Sequence, residues 1–104
     1  RCVKRRDKEI NITLDDLKEI WEKQNGICPY TGISLILPED GNIKIINFQQ
    51  RASLDRINSS KGYIVGNIQF VSTPINLMKQ EMSDLETKQF LKQISTFTSS
   101  FLED

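Results

Sequence analysis

Apolar residues recur with a helical period near both ends of the chain and with a strand period in its middle. From Leu14 to about Lys23, the residues Leu14, Leu17, Ile20 and Trp21 share one helical face. Thr13 is placed to cap this helix, Asp16 supplies an acidic variant of the capping box, and Asn25-Gly26 is a natural stop. Trp21 then serves as the core anchor of the helix. A second periodic run from Asp84 to about Phe97 starts with the capping box of Ser83 and Glu86. Its residues Leu85, Phe90, Leu91, Ile94 and Phe97 are expected to be buried, and Thr98 to Asp104 to fray. Between the two, Thr73 reads as an N-cap and Pro74 as the first helical position of a short helix that carries Asn76 and Lys79 and ends near Gln80 or Glu81.

Strand-like patterning precedes that short helix. Ser53–Ile57 forms a first strand, Asn58–Gly62 a polar loop, and Tyr63–Val71 a β-rich run interrupted by Gly66-Asn67. The unit Ser53–Lys79 therefore reads strand, loop, strand, helix. Upstream, Ile27–Gly32 is a tight turn. Ser34–Leu37 and Lys44–Phe48 are expected to pair as a hairpin around the turn Pro38–Gly41. Residues 1–12 look irregular or extended, with Ile10 and Ile12 alternating around Asn11. The expected class is α+β, with a basic arm over residues 1–12 and one domain over residues 13–104.

A length of 104 residues bounds this to one domain with a modest core. No apolar run is long enough to span a bilayer, which argues against a membrane partner. The start RCVKRRDK lacks an apolar stretch behind it, so it is not a secretory signal. It also lacks Met, as a fragment or a processed chain would. Net charge is zero, which taken alone argues against strong non-specific binding to nucleic acid. Its distribution points the other way. Arg1, Lys4, Arg5, Arg6 and Lys8 cluster at the start, and the stretch 41–80 holds Lys44, Arg51, Arg56, Lys61 and Lys79 against Asp55 alone. Such polarity presents a basic face to phosphate, although a solvated arm explains the first cluster equally well. Cys2 and Cys28 with no histidine cannot supply a four-ligand zinc site, so no structural zinc is expected. Two thiols fit a reducing cytoplasm, and a disulfide is not implied.

Asp55 is the one acid between Gly41 and Gln80, so it needs a partner: Arg51, Arg56 or a bound cation. With the amide oxygen of Asn76 it makes a hard-ligand pair suited to Mg²⁺ and tolerable for Mn²⁺ or Ca²⁺. An Asp–Arg ion pair and a capping Asn account for the same residues.

The segments CPYTGISL, SLDRINSSKGYIVGNIQFV and INLMK resemble, in order and spacing, the HNH branch of the His-Me finger (ββα-metal) nucleases, and more narrowly its phage- and restriction-type members. The resemblance covers roughly residues 13–95. It implies a small ββα-metal core flanked by N- and C-terminal helices, a divalent metal (Mg²⁺ or Mn²⁺), a DNA substrate and a bacterial or phage source. It implies that Asp55 and Asn76 bind the metal, that Asn67 pins the loop between the strands, and that Lys79 faces phosphate. Apart from the resemblance, Lys61, with Ser59 and Ser60 beside it, and Arg51 are expected to join Lys79 as DNA phosphate contacts, although a simple turn accounts for SSKG equally well. Cys28 takes the place of a zinc-knuckle cysteine whose knuckle is lost. Arg56 stands where the family has its general-base histidine, and arginine stays protonated. Three readings follow: a metal-activated water with Arg56 clamping phosphate, another base or nucleophile such as Tyr30, or a fold that keeps DNA binding without catalysis. The first is preferred, since Asp55, Asn76 and Lys79 are all in place, which makes Asp55, Arg56 and Asn76 the expected catalytic set. One such domain makes one cut, so a homodimer or a place in a larger multidomain protein is expected.

Overall fold

The capping box at Thr13 forms as its residue types dictate. Thr13 Oγ1 accepts the Asp16 N–H at 3.1 Å and Asp16 Oδ2 accepts the Thr13 N–H at 3.0 Å. They start helix α1 (Leu14–Gln24), which ends at Asn25 in the left-handed conformation. The computed structural model describes residues 9–39 and 45–102. Its strands are β1 (Ile10–Asn11), β2 (Ala52–Arg56), β3 (Tyr63–Ile64) and β4 (Ile68–Ser72). A 3-10 turn at Phe48–Gln50 leads into β2, and helices α2 (Thr73–Lys79) and α3 (Asp84–Leu102) close the chain. The class is α+β.

β2 and β4 pair antiparallel, with Ala52 opposite Ser72 and Asp55 opposite Gln69. β1 pairs parallel with β3, Ile10 against Tyr63. The β-rich run splits because Gly66 turns with a φ of 92°. α1 is fastened to β4 by Gln24, whose Nε2 donates to Phe70 O at 2.8 Å while its Oε1 accepts the Phe70 N–H at 2.8 Å. Trp21 meets the Phe70 ring edge-on at 5.2 Å. Leu14, expected on the buried face, is instead 66% exposed, because α1 grips β4 through its last turns and its first residue overhangs the short strand. Cys28, Leu35, Ala52, Val71 and Ile75 form the buried centre, with Trp21, Tyr30, Phe70, Met78 and Leu91 packed around it.

Three further expectations change. The hairpin of Ser34–Leu37 with Lys44–Phe48 does not form among the described residues; Lys44 lies outside them. Ile36 instead bridges Arg51 in parallel, taking the Gln50 carbonyl at 2.7 Å and receiving the Ala52 N–H at 3.0 Å, so its backbone groups are already used. Thr73 is not the cap of α2. Its N–H and Oγ1 both donate to Arg51 O, at 3.0 and 2.8 Å, which makes it the tether between helix and strand, and Ser72 takes the cap position. α3 keeps its capping box, Ser83 N–H to Glu86 Oε1 at 2.8 Å and Glu86 N–H to Ser83 Oγ at 3.0 Å, but runs on to Leu102 where fraying was expected. Leu85, Phe90, Ile94 and Phe97 on it are exposed, since only the side bearing Thr87 and Leu91 meets the core.

Gly62 is where β1 comes closest to the loop. A Cβ there would fall onto the backbone of Glu9, whose carbonyl accepts the Tyr63 N–H at 2.8 Å. Gly62→Ala is therefore expected to detach β1 from β3. Amide exchange reads this directly: the Tyr63 N–H should lose its protection while the β2–β4 amides keep theirs. Among the described residues no helix is long and apolar enough to cross a membrane.

Candidate functional site: a buried carboxylate at the strand–helix junction

Strand alternation places Ser53 and Asp55 on one face of β2 and Arg56 on the other. The register sets Gln69 directly across from Asp55, and Gln69 Nε2 donates to Asp55 Oδ2 at 2.9 Å. α2 follows β4 without a loop, so its side chains fall back onto β2. Asn76 Nδ2 donates to Ser53 Oγ at 2.6 Å and to Leu54 O at 3.3 Å. Both of its nitrogen protons are thus used on the residues just before Asp55, and Oδ1 remains as its acceptor oxygen.

Lys79, the expected phosphate contact, is 0% exposed. Its Nζ donates to Arg56 O at 2.9 Å and to Ile57 O at 3.5 Å, and it stands 3.3–3.4 Å from the two Asp55 carboxylate oxygens. Asp55 is itself only 5% exposed. The partner of Asp55 is thus Lys79, from the last turn of the helix. Sequence spacing could not show this, because the pairing depends on how α2 folds back. Arg56 turns away from the carboxylate. Its guanidinium donates to Lys61 O at 3.2 Å and lies 5.2 Å over the Tyr63 ring. Arg51, 5.8 Å over the Phe48 ring, lies at the opposite end of β2, about 16 Å of extended chain away.

The loop after β2 is held from inside by Asn67. Its Oδ1 accepts the Asn58 N–H at 2.9 Å, and its Nδ2 donates to Asn58 O at 3.1 Å and to Gly62 O at 2.8 Å. Ser60 N–H and Oγ both bond Asn58 Oδ1, at 3.0 and 2.7 Å, which closes the turn that presents exposed Lys61. The side chain of Cys28 is occupied too: its Sγ accepts the Ser72 N–H at 3.4 Å.

A polar chain missed at the level of sequence runs outward from Asp55. Gln69 Nε2 also donates to Tyr30 Oη at 3.2 Å, and Tyr30 donates to Asp84 Oδ1 at 2.6 Å. Asp84 carries an exposed ion pair with Lys88 at 3.1 Å. Only the strand register could have pointed to Gln69. Burial and the Asp84 hydrogen bond push the Tyr30 phenol well above its usual 10.0, and the Tyr30 hydrogen bond lowers Asp84. Tyr30 therefore stays protonated at neutral pH and is no general base. Because its folded pKa is raised, its stabilising contribution holds below about pH 10 and is lost as pH rises towards the folded value. Melting temperatures followed through pH 10 should fall in the native chain, and in Tyr30→Phe should fall less.

Searches against protein-family models, curated proteins and solved structures return no match for the chain. The residues present must therefore decide whether a cation fits. Among the described residues no three His, Cys, Asp or Glu side chains converge on one point. Mg²⁺ often takes only one or two protein oxygens and completes its shell with water and phosphate. Asp55 and Asn76 Oδ1 suit that sparse pattern. The 3.3–3.4 Å ammonium contacts are long for charge-assisted bonds, and a carboxylate has about four acceptor sites, so Asp55 retains capacity. Lys79 nonetheless cancels much of its charge. Two oxygen donors of this kind would suit at most a weakly held hard cation that completes its shell from outside the protein.

Proposed function

We propose that this chain is a metal-dependent DNA endonuclease domain of the HNH, His-Me finger type that hydrolyses phosphodiester bonds, with Mg²⁺ or Mn²⁺ as cofactor. The observation that carries this reading is the junction itself: Asn76 on α2 is bonded through Nδ2 to Ser53 and Leu54, the residues just before Asp55 on β2, and β2 ends in Arg56 and leads into the loop that bears Lys61. Asp55 and Asn76 would hold the ion. A bound Mg²⁺ supplies Lewis-acid polarisation of the phosphate and an activated water. Lys79 positions Asp55 and neutralises the buried carboxylate. Arg56 cannot take a proton, so its part is to bind a phosphate oxygen from the loop side. Lys61, exposed on a clamped loop, adds affinity without sequence information. Arg51 is too far along β2 for the same phosphate and serves one further along the duplex.

Incubating supercoiled plasmid with the chain and Mg²⁺ or Mn²⁺ tests this. Nicked or linear product is expected, and it should disappear in folded Asp55→Asn and Asn76→Ala proteins. A second reading, a DNA-binding module of the same fold without catalysis, is favoured by the Lys79 ammonium already standing at Asp55. Salt-sensitive DNA binding with no metal-dependent product from the folded native chain would establish it and overturn the first.

A further inference from the structure

α3 carries four apolar residues on a stripe that the fold leaves open. Phe90, Ile94, Phe97 and Phe101 are 44%, 38%, 62% and 62% exposed. At 100° per residue they fall within one narrow face, beside the side on which Thr87 and Leu91 meet the core. Phe97 and Phe101 stack edge-to-face at 5.1 Å, so the stripe is continuous at its far end. The Cα radius of gyration is 15.1 Å, against about 13 Å for a compact domain of this size.

The spacing of the stripe suits a second copy of the same helix. Its steps are four, three and four residues, a pattern that reads the same in both directions. In an antiparallel pair with its two-fold axis at the level of Ser95 and Thr96, Phe90 meets the other copy's Phe101, and Ile94 meets its Phe97. A two-fold interface requires such reciprocity, and steps of four and three form the seam of helices packed at a shallow angle. Charge raises no obstacle: from Gln89 to Leu102 the helix holds one charged residue, Lys92, which falls level with Ser99 of the other copy. The remaining positions are mostly Ser, Thr and Gln, polar but uncharged.

We propose that α3 is a homodimerisation helix that pairs antiparallel with α3 of a second copy through Phe90, Ile94, Phe97 and Phe101. This does not rest on the nuclease reading. The stripe buries roughly 400 Å² per copy, about half of a standard interface. The dimer therefore falls at the weak, transient end of specific interfaces.

Sedimentation equilibrium of the chain over a wide concentration range is the test, with circular dichroism confirming that each variant is folded. The native chain should show a reversible monomer–dimer equilibrium. Ile94→Glu and Phe97→Lys should each weaken it roughly tenfold or more. The double variant Ile94→Glu/Phe97→Lys should dimerise more tightly than either single variant, because antiparallel pairing sets each glutamate against the other copy's lysine. Parallel pairing would set like against like. A native chain that stays monomeric at all concentrations, a dimer indifferent to the single variants, or a double variant no tighter than the singles would each overturn the proposal.

Discussion

Lys79→Met is expected to lower the stability of the fold by about 3–5 kcal/mol in equilibrium urea unfolding. The ammonium is fully buried and holds three groups at once: the Asp55 carboxylate, Arg56 O and Ile57 O. Methionine fills similar space but donates nothing. The Asp55 charge is then left in the interior with Gln69 as its remaining donor, and an uncompensated buried carboxylate is the expensive outcome. Replacing both partners, in Asp55→Leu/Lys79→Met, should recover most of the loss, since a buried ion pair is often worth little more than an apolar pair of the same volume. The single and double variants form a cycle whose coupling energy reports the pair itself. A Lys79→Met protein within about 1 kcal/mol of the native chain would mean that the pair is not closed in solution. The variant also probes the candidate cation site. With the ammonium gone, Asp55 can accept a metal without competition, so Mn²⁺ should raise the melting temperature of Lys79→Met more than that of the native chain.

Local chemistry was legible where one turn of chain decides the outcome. The capping boxes at Thr13 and Ser83, and the break of the β-rich run at Gly66, depend on neighbours within a few residues and stand where those residue types require. The partner of Asp55 was not legible. Arg51 and Arg56 are nearer in sequence, but alternation turns Arg56 to the other face, while the direct β4–α2 junction swings Lys79 back onto the strand. Among the described residues the hairpin of Ser34–Leu37 with Lys44–Phe48 is absent for a related reason: Ile36 bridges Arg51, distant in sequence, and its backbone N–H and carbonyl are used there. Helical periodicity on α3 marked an apolar stripe correctly but could not say whether the same chain covers it, and most of it stays exposed.

Asn67→Ala is expected to cost about 2–4 kcal/mol, because a buried amide that satisfies three backbone groups is replaced by a methyl group that satisfies none. The Asn58 N–H, Asn58 O and Gly62 O would have to find water inside the loop or open it. Asn67→Asp should be no better. It retains the acceptor for the Asn58 N–H but turns a carboxylate oxygen towards two carbonyls, and it buries a charge. Exchange of the Asn58 and Lys61 amides should speed up in both variants, since Lys61 N–H donates to Asn58 O within the same loop. Lys61→Ala is the control that separates architecture from contact. Its backbone makes the loop's bonds while its side chain is exposed, so its stability should stay within about 0.5 kcal/mol of the native value. If the loop binds phosphate, Lys61→Ala should still weaken DNA binding and flatten its dependence on salt. Asn67→Ala should weaken the same binding with its lysine intact, because the lysine is then no longer held in place. An Asn67→Ala protein as stable as Lys61→Ala would show that the clamp does not hold this loop.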